Sequence, residues 1–175
     1  NLLGYGHPAV QDAIMQQLAC GTSFSMLHPL EVEVAELLCD VLPCAEMVRF
    51  ARNGTDVTNM AIRLARAVTG KRHAIFVGYH GGGSDSYGIT TDKIAGILSC
   101  IAPYNHQTTW GSLENIPIHV MADLACIMVE VPSMQWGTLD TVVADTLAMY
   151  HDLAHANKAL FVLDEIVTWP RYALG

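Results

Sequence analysis

Three short runs in this chain are apolar almost without interruption: Ala74 to Val77, Ala125 to Val131 and Ala159 to Leu163. A strand with one wet face alternates apolar and polar residues, so a continuous run calls for cover on both faces. Longer stretches with helical periodicity alternate with strand-like runs along the chain. Asp56 to Val68 places Met60, Ile62, Leu64 and Ala65 on its apolar surface, and Leu139 to Asn157 reads as another helix. The alternation predicts an α/β fold, a three-layer α/β/α arrangement around a mostly parallel central sheet. Two further helices are expected ahead of it, Pro8 to Ala19 and Pro29 to Leu42. The second sets Leu30, Val34, Leu37, Leu38 and Val41 on one face, which should pack against something. Met47 to Phe50 reads as a short strand-like approach, and the chain from His80 to Ile101 as a glycine-rich loop followed by an irregular stretch. Sheets of this kind collect ligands at the carboxyl ends of their strands.

The 175 residues, 51% of them hydrophobic, can bury one sizeable core. A net charge of -8 without any run of Lys or Arg disfavours nucleic acid and anionic membrane surfaces, so small molecules are the expected partners. The five cysteines, Cys20, Cys39, Cys44, Cys100 and Cys126, are odd in number and scattered through apolar runs. They are expected to be buried thiols in a reducing compartment. No segment has the apolar length of a membrane span, and no basic region followed by an apolar stretch opens the chain, so the cytoplasm is the expected location. Asn1 begins in mid-pattern and Gly175 follows closely on a charged turn, so both ends read as cut.

Three places carry candidate chemistry. Arg52-Asn53-Gly54-Thr55-Asp56 enters the Asp56 helix, whose free N–H groups and positive dipole end favour an anion such as phosphate. The same turn is equally a helix cap built on Asn53, Thr55 or Asp56. It is not a nucleotide P-loop, because Thr69-Gly70-Lys71 sits at a helix end and lacks that motif's other residues. Tyr79-His80 puts an aromatic ring at a strand's carboxyl end with a glycine loop behind it. Asp164 closes the run Ala-Leu-Phe-Val-Leu, where a carboxylate needs a cationic partner, a protonated pyridine nitrogen among the possibilities, unless Asp164-Glu165 is a solvated or capping pair.

These residues, together with "LLGYGHPAV", "GTSFSMLHPLEVEVAELL", "CAEMVRFARNGTDVTNMAIRLARAVTGK", "GYHGGGSD", "IMVEVP" and "VLDEIVTWPRYALG", resemble the large domain of class III pyridoxal-phosphate aminotransferases and of the related glutamate-1-semialdehyde 2,1-aminomutases, which share fold type I. The motifs span essentially the whole chain. The resemblance implies residues 1–45 as a helical segment leading into the large domain and residues 46–175 as part of the cofactor-binding domain. It implies a cytoplasmic homodimer that moves an amino group between an amino donor and a carbonyl acceptor through pyridoxamine phosphate. Carried onto this sequence, it implies that Asn53, Gly54 and Thr55 hold the phosphate of pyridoxal 5'-phosphate. Tyr79 stacks on the ring with His80 beside it, Asp164 pairs with the ring nitrogen, and Ile166 packs on the other face. Glu130 stands near the substrate, so that Asp164, Tyr79 and Glu130 form the catalytic set, and Ser23 and Phe24 line the entrance. No metal is implied.

The chain departs from the family in places. Asn53 stands where a serine is usual, Val131 separates Glu130 from Pro132, and Trp169-Pro170-Arg171 replaces Gly-Phe-Arg. Asn53 can still hydrogen-bond a phosphate, while the other two changes point away from the aminomutase's own substrate and toward less defined transaminases acting on sugars or secondary metabolites. The family's Schiff-base lysine falls beyond Gly175. Lys71, Lys93 and Lys158 do not match it and read as solvated surface residues. The fragment alone is therefore expected to be inactive. The alternative is a truncated, non-catalytic module that binds the cofactor or a complete subunit. A dinucleotide oxidoreductase is disfavoured, because no Gly-x-Gly-x-x-Gly follows a strand.

Overall fold

The computed structural model describes residues 2–83, 95–114, 116–131 and 141–171. The Lys93 position and the Pro132 step fall outside them. The described chain forms two compact units, one drawn from residues 1–49 and 170–175 and the other from Phe50–Trp169.

The first unit holds helices α1 (Pro8–Cys20) and α2 (Pro29–Val41). Each opens with proline in its first turn, where the missing N–H has no intrahelical partner to lose. His28 caps α2 by accepting the Leu30 N–H at 3.2 Å. Neither helix buries a residue fully, and Leu30, Val34 and Leu37 of the expected apolar face remain exposed. A unit of this size has too little apolar surface to enclose a core. The cysteine expectation is corrected as well. Cys20 and Cys44 are exposed and Cys39 half-buried, Cys100 is exposed on a turn of the second unit, and only Cys126 is buried. All five are free, and burial pushes the Cys126 thiol up to about 12.

The second unit runs α3 (Gly54–Thr69), β1 (His73–Val77), β2 (Asn105–Thr108), α4 (Ile118–Ala122), β3 (Leu124–Glu130), α5 (Thr141–Ala156) and β4 (Leu160–Asp164). The four strands among its described residues are all parallel, in the order β2-β1-β3-β4. The period of two sorts β1 and β3 into two core layers. Ala74, Phe76, Cys126 and Met128 pack with Ile62 and Ala65 of α3, while Ile75, Val77, Ile127 and Val129 pack with Val120 of α4 and Tyr150 and Ala154 of α5. Every residue of β1 is buried, as its continuous apolar run requires. Tyr150 is wholly buried, and its hydroxyl accepts the Gly111 N–H at 2.9 Å.

Three expectations change. Residues 47–50 form no strand, since a strand needs a hydrogen-bonded neighbour and none pairs with them among the described residues. The irregular stretch is followed by β2, whose sequence Asn-His-Gln-Thr has no apolar run because it lies at the sheet's edge. Lys71 is not merely solvated: its ammonium donates to the carbonyls of Asn157 and Lys158, where α5 leaves acceptors unmatched. Lys158 is exposed, at a φ of 49°.

A cluster of imidazoles forms where β1 and β2 begin. His73 Nδ1 lies 2.8 Å from His106 Nε2, and His119 and Tyr104 pack on the His73 ring. Burial first, then the neighbouring His73 and His119, lowers His106 from 6.5 to about 4. The folded chain thus holds His106 neutral while the unfolded chain takes a proton near its ordinary value. The associated stability is present above that value and is lost as pH falls toward about 4. Screening of the half-buried ring limits the loss to about 2 kcal/mol. Urea titrations at stepped pH should show His106→Gln flattening this slope, against the charges of His73, His119, Asp123, Arg72 and Arg66 that remain. An unchanged slope would assign the acid sensitivity elsewhere.

Candidate functional site

The carboxyl ends of β1 and β4, the floor provided by Met128 of β3, and the first turn of α3 enclose a cavity of about 610 Å³. Asn53, Gly54, Thr55, Tyr79, His80, Asp164 and Ile166 all line it. Residues separated by more than a hundred positions therefore meet in one place, because parallel strands present their ends on one edge.

At the α3 end, the Asn53 Oδ1 accepts the Asp56 N–H at 2.9 Å and its Nδ2 donates to Asp56 Oδ2 at 3.1 Å. The Asn53 carbonyl accepts the Val57 N–H. Asn53 is thus a helix cap, and its side chain is occupied by that role. Gly54 and Thr55 line the cavity, and as the first residues of α3 their N–H groups have no helical carbonyl to reach. Capping and anion binding are compatible here, since they use different donors.

The loop after β1 depends on two glycines. Gly78 has φ of 100°, and a Cβ there would lie 2.5 Å from Glu130 Cβ; Gly81 has φ of 98°, and a Cβ there would lie 2.3 Å from Thr55 Oγ1. The close approach at Gly78 lets Glu130 Oε2 accept the Tyr79 N–H at 2.7 Å. The Tyr79 hydroxyl accepts the Gly82 N–H at 2.9 Å. The residue is held at its backbone N–H and at its hydroxyl, and it stays 54% exposed. Glu130 itself is not part of the cavity wall; its carboxylate holds the backbone that carries Tyr79. Ser23 and Phe24 belong to the first unit, in the turn after α1, where the Phe24 ring lies 4.5 Å from that of His28.

His80 and Asp164 meet in the cavity wall, their side chains 0% and 9% exposed. His80 Nε2 lies 3.1 Å from the Val77 carbonyl, which only accepts, so this nitrogen carries a proton. His80 Nδ1 lies 2.8 Å from Asp164 Oδ2, and a second proton sits between them. Asp164 Oδ1 accepts the Ile166 N–H at 3.1 Å. A cationic N–H arriving at Asp164 would meet a carboxyl group already held by His80 and by the Ile166 N–H. Burial, and then the Asp164 charge, raise the carboxyl of Glu165, which also lines the cavity.

Two contributors escaped the sequence reading. Thr58 lines the cavity, and its hydroxyl lies 2.9 Å from the His80 carbonyl and 3.1 Å from that of Thr55. Its spacing of three from Thr55 puts it on the same helix face, which was the available signal. The contact of His80 with Asp164 had no signal at all, since it spans 84 positions. Among the described residues, no three His, Cys, Asp or Glu side chains are arranged to hold a metal ion.

The family model for class-III aminotransferases matches residues 1–169. The glutamate-1-semialdehyde 2,1-aminomutase of Methanothermobacter thermautotrophicus is 35% identical, covering 99% of this chain and 44% of its own length. The enzyme of that name from Methanoculleus marisnigri is 32% identical, covering 99% and 45%. A solved structure of a transaminase with PLP bound matches over 98% of this chain and 43% of its own, at a TM-score of 0.82 and 25% identity. The chain thus spans less than half the length of the curated relatives it matches.

Proposed function

The chain belongs to the class-III aminotransferase family, and from that premise we propose that the complete protein is a pyridoxal-phosphate-dependent enzyme moving an amino group between an amino donor and a carbonyl substrate. The observation that carries this reading is the Asp164 carboxylate, its side chain 9% exposed and backed by His80, set in the same cavity as the α3 N-terminus. One end of the cavity suits a dianion and another suits a ring cation, and the cofactor carries both.

The residues fit the group on this chain's own geometry. Gly54, Thr55 and the α3 dipole would take the phosphate. The anchored Tyr79 offers a face for the ring, with Ile166 on the cavity wall as its apolar counterpart. Asp164 would accept the N–H of the ring nitrogen, and His80 would hold the Asp164 side chain in place through its contact with Oδ2. When bound, the cofactor supplies an electron sink for charge developing at the substrate carbon. Glu130 keeps Tyr79 in place by its hold on the backbone N–H. The exposed apolar surfaces of α1 and α2 support a homodimer, and the five free thiols support a cytoplasmic setting.

Pyridoxamine phosphate tests the site without any contribution from a lysine, because it carries an amine in place of the aldehyde. Titrated into the complete protein and followed by cofactor fluorescence, it should bind saturably, and Thr55→Val should weaken it about tenfold. Failure to bind, or equal binding by Thr55→Val and Asp164→Asn variants, would remove the assignment.

A further inference from the structure

The carboxyl-terminal half of α5 carries His151 and His155, one helical turn apart and both exposed. Their ring centroids are 4.5 Å apart with planes at 36°, so the two imidazoles already share one patch of surface. Spacing of four residues on an α-helix brings side chains to the same face, and two histidines so placed can ligate one ion. A second observation concerns the ring nitrogens. His151 Nδ1 lies 3.1 Å from Asp152 Oδ1, and a carboxylate accepts only, so the proton sits on Nδ1 and the Nε2 lone pair is left for a ligand. Metal-bound histidines are typically held this way by a carboxylate on the far nitrogen. The Phe161 ring meets His151 edge-on at 5.8 Å and limits its rotation. His155 lies in the last turn of α5, where the helix dipole favours a cation.

We propose that His151 and His155 form a surface site for a divalent transition metal that prefers imidazole, such as Zn²⁺, Ni²⁺ or Cu²⁺. Neither residue lines the cavity, and the site stands independently of the cofactor reading. Among the described residues no third His, Cys, Asp or Glu completes a cluster, so water or a donor from another molecule fills the remaining positions. Binding is accordingly exchangeable, with Cu²⁺ ahead of Ni²⁺ and Zn²⁺.

Isothermal titration of NiCl₂ into the complete, tag-free protein tests this, beside His155→Ala, the His151→Ala/His155→Ala double variant and Asp152→Asn. All three positions are exposed, and far-UV circular dichroism verifies that the variants fold. The wild type should show a saturable component that the double variant lacks. His155→Ala should weaken it at least about tenfold, and Asp152→Asn by roughly tenfold through loss of the orienting carboxylate. Equal titrations for the wild type and the double variant, or no saturable component in the wild type, would overturn the proposal. Loss in His155→Ala with no change in Asp152→Asn would retain the two-histidine site and overturn the role given to Asp152.

Discussion

Replacing Asp164 by Asn in the complete protein should leave its fold intact and some cofactor bound, while turnover falls about 100- to 1000-fold, the scale of losing one preorganised electrostatic contact. The substitution keeps the shape of the side chain. An asparagine oxygen can still accept the Ile166 N–H that Asp164 Oδ1 takes at 3.1 Å, and its amide can donate to His80 Nδ1 when the ring is neutral. His80 Nε2 then keeps its proton toward the Val77 carbonyl. What disappears is the negative charge at the cavity, and with it the reason for a bound ring nitrogen to stay protonated. The decisive comparison is kcat with a saturating amino donor, set beside the urea midpoint and the affinity for pyridoxamine phosphate. Near-normal turnover would reduce Asp164 to a cap for the turn at Ile166 and sink the reading of the cavity.

The elements around this cavity were legible to the degree that they are local. Asp56 to Val68 carries a one-sided apolar pattern, and the helix runs Gly54–Thr69; Ala125 to Val131 is apolar except for Glu130, and the strand runs Leu124–Glu130. The differences are end residues, which caps and neighbouring strands decide. The edge strand Asn105–Thr108 was not legible, because an edge position does not demand the apolar run that identifies β1 and β3. Met47 to Phe50 shows the converse error, an apolar stretch without a hydrogen-bonded neighbour among the described residues. At the site, motif resemblance brought seven of the ten candidate residues to one cavity. It could not show that Asn53 caps α3 with its own side chain, or that Glu130 grips the Tyr79 backbone, since both follow from angles and close approaches. Pairing across 84 positions, as between His80 and Asp164, is a product of topology: β1 and β4 must lie in one parallel sheet before their ends can meet.

Gly81→Ala should destabilise the protein by about 2–4 kcal/mol from left-handed backbone strain together with overpacking. Gly81 has φ of 98°, which an L side chain rarely adopts, and its Cβ would stand 2.3 Å from Thr55 Oγ1, 3.1 Å from Thr55 Cβ and 3.2 Å from Thr55 Cα. No rotamer of Thr55 relieves contacts to its own Cβ and Cα, so either the loop or the first turn of α3 must move. That turn presents the N–H groups that would receive the phosphate, and pyridoxamine phosphate should therefore bind at least about tenfold more weakly, a difference near 1.4 kcal/mol. Gly83→Ala is the matched control, because its nearest contact, Thr55 Cγ2, would be an ordinary 3.8 Å away. Urea denaturation and the fluorescence titration, run on both variants, separate the two effects. Lost affinity with Gly83→Ala unaffected would tie the anion end of the cavity to the close approach of Gly81 and Thr55. Wild-type stability and affinity in Gly81→Ala would show that the β1 loop can leave α3 at little cost, and the phosphate would then have to be held by something other than the Thr55 turn.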